Sequence, residues 1–483
     1  MRMLLVSGVI GRLTKYFSVA FLPPLLMACW DQEWKVAGAF ALSAAIALVT
    51  GRLISAKYTV PKTLYRAEAM SVVAGTWLFA AFMGAIPYLF EGFSWFDAFF
   101  ESMSGMTTTG ATILTDFDAH GRAFFLWRAM TQWFGGLGVI ALFVVVLPRL
   151  GIAGRQLFFA EASGATEEDL DPQVRKSAER LWILYCGVTL VCALALTGAG
   201  MNVFDGFVHA LTTVSAGGFS PHPESIAGYN NPNIEWILVG FMFLAGVSYP
   251  LQYRVVTGKW LGFFRDEEWR LYTAVALFGA LGLAFILSDG SFTSQSLREG
   301  AFQAASLISS TGYASTDYNT WGEGAIALLI FVMLIGGCAG SAAGGPKVIR
   351  YVLIGKAVRR EIRQALHPRA VLPLRYMGRS IPDQIMRAVV VLGALYIAGY
   401  FLIGGLLVIM GTDPTTGFSA ALACLGNIGP GLGTVGPMSN FAQFGDGAKT
   451  ILTLAMWIGR LEILTVLALL HPDVWRHLHW TRA

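Results

Sequence analysis

Residues 104–112 read SGMTTTGAT. Three β-branched hydroxyl residues followed by a glycine are turn material, because glycine opens backbone that other residues avoid. A short amphipathic stretch, FFESMSGM, leads into the turn, and a long apolar run follows Asp116 and Asp118. Three further stretches have the same frame: HALTTVSAGGFSPH at 209–222, QAASLISSTGYAST at 303–316 and LACLGNIGPGLGTV at 422–435. They align on Gly110, Gly218, Gly312 and Gly429, at spacings of 108, 94 and 117 residues. Each glycine follows small or hydroxyl residues or an Asn-Ile pair: Thr108-Thr109, Ala216-Gly217, Ser310-Thr311 and Asn427-Ile428. Self-similarity of this kind is the sequence signature of a repeat architecture.

The chain around these turns is 55% apolar and 13% charged over 483 residues, about half the charge of a soluble domain. Its apolar residues come in blocks, at 36–50, 69–90, 123–147, 182–200, 234–251, 271–288, 325–335, 388–410 and 450–470. Several reach the ~20 residues that cross ~30 Å of hydrocarbon. Apart from Glu462, no span is expected to hold an internal Asp or Glu. The stretch before Pro23-Pro24 has no small-residue cleavage site and reads as a retained first span. Cys29, Cys186, Cys192, Cys338 and Cys424 read as small buried hydrophobes.

Charge orders the segments between blocks. Segment 346–387 holds ten basic residues, and segments 51–68, 148–181 and 252–270 are also basic. The alternate segments carry most of the acids, among them Asp31, Asp97, Glu101 and Asp205. The positive-inside rule places the basic set and both termini in the cytoplasm of a multi-pass membrane protein. The acids outside either gather cations at a mouth or merely follow from basic residues inside.

Each turn lies behind about 10–12 moderately apolar residues, too few to span and suited to a re-entrant half-helix. Irregular backbone at membrane depth survives only where it is buried or lines water. Four such turns on one axis bring their carbonyls around a shared hole, and carbonyl rings replace the hydration shell of a cation. No turn has an Asp or Glu at its glycine, which disfavours a divalent ion. The predicted fold is all-α and polytopic. Two extra transmembrane helices (1–60) precede four helix–half-helix–filter loop–helix repeats at 61–150, 151–262, 263–368 and 369–483.

These turns, with WFGGLG at 133–138, GGCAGSAAGG at 336–345 and GRLE at 459–462, resemble the Trk/Ktr/HKT superfamily of potassium transporters, most closely its TrkH type. The resemblance covers nearly the whole chain. It implies a pseudo-fourfold pore, one per protomer of a homodimer, and a cytosolic TrkA-like partner that binds the regulatory nucleotide. The filter would be lined by 108–112, 216–220, 310–314 and 427–431. That includes Thr108, Thr109, Gly110 and Ala111; Ala216, Gly217, Gly218 and Phe219; Ser310, Thr311, Gly312 and Tyr313; and Asn427, Ile428, Gly429 and Pro430. A glycine at position 110, where sodium-permeable relatives have serine, implies potassium. The bound ion would be potassium, with no organic cofactor in this chain.

Residues 336–345 (Gly336, Gly337, Gly340, Ser341, Gly344 and Gly345 among them) lie within the third repeat's last helix. Ten residues without a bulky side chain make a poor helix, each glycine costing about 1 kcal/mol against alanine. They read either as a tight packing face or as an irregular loop that blocks the path below the filter. Arg460 sits between apolar 451–458 and 463–470. A membrane-embedded arginine costs at least ~2.5 kcal/mol unless paired or hydrated, so it is expected to face the pore and donate to the loop. Pairing with Glu462 is disfavoured, since residues two apart on a helix do not face each other. Lys347 is either a second positive element or a cytoplasmic-end anchor. The acidic run Glu167, Glu168, Asp169 and Asp171 is a solvated face or a TrkA-docking surface. Basic 346–379 suits anionic membrane lipid or the partner. His209 and His222 bracket the second turn without a third metal ligand nearby. No motif points to an enzyme, a receptor or nucleic acid. A sodium- or proton-coupled symporter is the alternative to channel-like potassium uptake.

Overall fold

A computed structural model describes residues 3–57, 66–141, 170–258 and 260–472. Among these the chain is helical nearly throughout. The described strands form one short hairpin pairing Arg375–Tyr376 with Arg379–Ser380. The acidic positions Glu167, Glu168 and Asp169 lie outside the described residues.

The first span runs from Met3 to Trp30. A tight turn at Ser18–Phe21 leads into Leu22–Trp30, whose prolines occupy the first helical turn, where a missing N–H costs little. Trp34–Lys57 returns. Phe21 stacks on Trp127 with ring centroids 4.5 Å apart, docking the two extra helices on the first repeat.

Four entry helices follow: Arg66–Phe90, Leu170–Gly198, Glu267–Leu287 and Asp383–Ile409. After each comes a short pore helix: Trp95–Met106, Val203–Val214, Ser294–Ile308 and Pro414–Leu425. At 1.5 Å per residue their 12 to 15 residues fall short of the ~30 Å hydrocarbon core. All four start the same way. The side chains of Ser94, Asn202, Thr293 and Asp413 accept from the N–H groups of Asp97, Asp205, Ser296 and Thr416, satisfying donors that a helix start leaves open.

The last helices of the second and fourth repeats are where sequence and structure differ. Apolar 234–251 is not one span: Pro232–Ala245 and Tyr249–Val256 meet at 106°. Likewise Asp446–Arg460 and Ile463–Leu470 meet at 107° within apolar 450–470. In the third repeat the break widens to the whole stretch between Glu323–Ile335 and Val348–Leu366. Among the described residues six helices are long and apolar enough to cross a membrane, eight if each bent pair is one span. Hydropathy sums composition and is blind to continuity, so a broken span reads as a whole one.

Two further expectations need correction. Cys29 and Cys186 are exposed and only the other three cysteines are buried, because a lipid-facing surface is as apolar as a core. Glu462 is not the only carboxylate in a span. Glu68, Glu235 and Glu268 are buried in helices: Glu68 and Glu268 near helix starts that the sequence pattern assigns to charged segments, Glu235 inside the apolar block 234–251, whereas Glu462 sits at the bend before Ile463–Leu470.

Candidate functional site

The four turns repeat one backbone conformation. Thr108, Ala216, Ser310 and Asn427 have left-handed φ of 51° to 55°, and two residues on Gly110, Gly218, Gly312 and Gly429 have φ of 78° to 101°. Between them, the N–H groups of Thr109, Gly217, Thr311 and Ile428 each return to a pore-helix carbonyl five residues back, all at 2.8 Å. Each pore helix therefore ends in the same locked turn, whichever side chains it carries.

The turns close on one another. A β-carbon added to Gly110 would overlap the carbonyl oxygen of Gly217; at Gly218, that of Thr311; at Gly312, that of Ile428; and at Gly429, that of Thr109. Every repeat thus meets the next and the fourth meets the first. All four glycines also line one cavity. The residues just before them are buried, and their carbonyls are nearly free of partners. Among the described residues no donor within the chain reaches the carbonyl oxygens of Thr108, Ala216, Ser310 and Asn427, nor those of Thr109, Thr311 and Ile428. Gly217 alone is held, by Gln132 Nε2 at 2.7 Å, while Gln132 Oε1 accepts from Phe219 N–H. Buried carbonyls are ordinarily paired. Here, Gly217 apart, a ring of them has no protein donors among the described residues.

Side chains of the turns point into packing. Thr109 Oγ1 shares a hydrogen bond with Thr107 and accepts from Asn427 Nδ2 at 2.9 Å. Tyr313 donates to the carbonyl of His209, and Phe219 lies 4.0 Å from the Arg128 guanidinium. Ala111 is buried and Pro430 half-buried.

Behind the first turn is a buried pair that the sequence reading missed. Arg128 meets Glu101 at 2.8 Å. Glu101 also accepts from the N–H of Ile113, and Arg128 donates to the carbonyl of Ser220, tying the first repeat to the second. A lone Arg in an apolar block was the available signal. Near the starts of the pore helices, Arg122, Arg298 and Lys449 pair with Asp31, Glu235 and Asp97, so several acids there are held in ion pairs. His209 and His222 converge on Asp205. His222 Nε2 is 3.0 Å from its carboxylate and His209 Nδ1 is 2.9 Å from its carbonyl oxygen.

Below the turns, residues 336–347 form an irregular buried loop with left-handed φ at Gly336, Gly340, Gly345 and Lys347. The loop pairs with the bend of the second repeat: Cys338 N–H donates to Gly246, Ala342 N–H to Ala245, and Tyr249 N–H to Gly340. Ser341 Oγ closes a local turn on Cys338 O at 2.6 Å, and Gly337 O accepts from Val348. At the top, Gly344 N–H donates to Ser310 Oγ, and a β-carbon on Gly344 would overlap the carbonyl of Gly426. The loop therefore abuts the inner end of the ring. Arg460 ends its helix and its Nη1 donates to Ala342 O at 2.9 Å, with Nη2 3.4 Å from Gly135 O. Glu462 pairs instead with Arg350, at 2.7 Å. Lys347 folds its ammonium back onto the carbonyl of Ala343.

A buried ring of carbonyls from four pore loops defines a membrane cation-transport protein. The chain belongs to the TrkH family, described as cation transport proteins, whose family model matches residues 38–473. It is 35% identical over 483 residues to the Trk system potassium uptake protein TrkH of Salmonella typhimurium, covering 98% of this chain and 99% of that one. It is also 35% identical to TrkH of Halomonas elongata, over 99% and 100% of the two chains. The crystal structure of the potassium transporter TrkH from Vibrio parahaemolyticus is similar with a TM-score of 0.90 at 32% identity, covering 99% of this chain and all of that one.

Proposed function

We propose that this chain carries potassium into the cell through the ring formed by Thr108–Gly110, Ala216–Gly218, Ser310–Gly312 and Asn427–Gly429. The observation that carries the reading is the closed order of contacts, each glycine against a carbonyl of the next repeat. Unpartnered carbonyls at this depth replace water around a monovalent cation, and the pore helices aim their partly negative C-terminal ends at the same place. The names of the relatives supply potassium as the ion.

The loop at 336–347 is the gate. It lies against the inner end of the ring, and Arg460 holds it there while placing positive charge on the ion path. A cytosolic TrkA-like subunit binds the nucleotide that regulates opening, docking on the basic face with both termini on its side. The chain works as a homodimer among anionic lipids. Influx is driven by the membrane potential, worth ~2.3 kcal/mol per charge per 100 mV. Buried Glu68, Glu235 and Glu268 supply carboxylates that a proton-coupled symporter would need, so coupling is the second reading. Reversal potentials in proteoliposomes under imposed sodium or pH gradients separate the two. Uncoupled passage keeps the potassium Nernst value, and any shift from it favours symport.

A further inference from the structure

Glu268 is a buried carboxylate to which neither the ring nor Arg460 assigns a task. It lies at the start of the third entry helix and is 4% exposed. One of its oxygens, Oε1, accepts from two backbone groups, Ala339 N–H at 2.6 Å and Ile349 N–H at 3.1 Å. Ala339 is near the beginning of the irregular loop, and Ile349 is in the first turn of the helix that follows it. A single oxygen thus bridges the two ends of the loop. The rest of the loop is fastened through backbone to the second repeat, through Arg460 to the fourth and through Gly344 to Ser310 of the third, so Glu268 is a second hold from within the third repeat and the one that joins the two ends of the loop. Its neighbour Glu267 faces away, pairing with Lys356 and accepting from Met377 N–H. Glu268 also lines a cavity with Arg254, Tyr376 and Arg379, next to the hairpin of the basic segment.

We infer that Glu268 is a positioning residue that clasps the closed loop, so that losing its oxygen releases the gate without touching the filter. The inference rests on the reading of 336–347 as the gate. The physical reason is asymmetry. Without the acceptor, two buried donors are left unpaired in the closed arrangement, and an arrangement that frees them gains population.

The test compares rubidium flux through the purified chain in liposomes, without any cytosolic partner, for the native protein, Glu268→Met and Arg460→Ala. Glu268→Met is expected to raise basal flux on the order of tenfold. Glu268→Gln, which keeps an oxygen in place, returns it toward the native level. A merely structural role would lower flux and would not be rescued this way. If Arg460→Ala raises flux and a well-folded Glu268→Met does not, the clasp is wrong and the gate stands. If neither raises it, both are wrong. Should Glu268→Met fail to insert, Glu268→Asp withdraws the carboxylate by one bond. The labelling rate of Cys338, 1% exposed, by a maleimide in a background lacking the other four cysteines then reads the loop directly. Faster labelling supports the clasp and an unchanged rate overturns it.

Discussion

The α-carbon of Gly110 faces the carbonyl oxygen of Gly217, in the next repeat, so closely that no β-carbon fits between them. Gly110 also has a left-handed φ of 82°, which costs other residues roughly 1–2 kcal/mol. Gly110→Ser therefore cannot leave the ring unchanged. The turn must move and the carbonyl spacing with it. We expect sodium permeability relative to potassium to rise by on the order of tenfold, equivalent to ~1.4 kcal/mol, in bi-ionic reversal potentials. An unaltered ratio in folded protein would show that Gly110 is not part of the filter.

Arg460 and Ala342 are joined across two repeats by a 2.9 Å hydrogen bond. Hydrogen bonds to charged groups are worth ~1.5–3 kcal/mol each, so Arg460→Ala is predicted to raise partner-free rubidium flux about tenfold or more. Loss of flux with normal folding would make Arg460 a structural residue.

The Glu101–Arg128 pair is the main buried tie behind the first two turns. Removing one partner leaves an uncompensated charge, at a cost of ~3–5 kcal/mol. Arg128→Met is expected to lower the thermal unfolding midpoint in detergent markedly. The double variant Glu101→Leu/Arg128→Met should recover part of that loss. Additive losses in the double variant would argue against the pairing.

Glu462 meets Arg350 and not Arg460. Exchanging the two charges, Arg350→Glu with Glu462→Arg, should restore stability that either single reversal removes. Both groups are partly exposed, so the effect is ~1 kcal/mol or less. It is read as the midpoint difference in a double-mutant cycle.

How much of this was legible in sequence follows from what each signal measures. The four turns were readable because glycine at 110, 218, 312 and 429 answers a backbone requirement, and their residue pattern carries that requirement directly. The bends after Ala245 and Arg460 were not, because hydropathy does not register a change of direction and the break lies in backbone angles such as the positive φ of Glu462. Exposed Cys29 and Cys186 were misread because lipid and protein interior look alike to hydropathy. Glu101–Arg128 and Glu268 stayed hidden for another reason: their partners are 27 to 81 residues away, and each reads alone as an isolated charge.

The most direct measurement is rubidium uptake into liposomes holding the purified chain, with competing ions outside and with or without a nucleotide-binding partner. Uptake that potassium suppresses, and that sodium and divalent ions leave unaffected, is the predicted result. Uptake no greater than in protein-free liposomes under both conditions would contradict the pore.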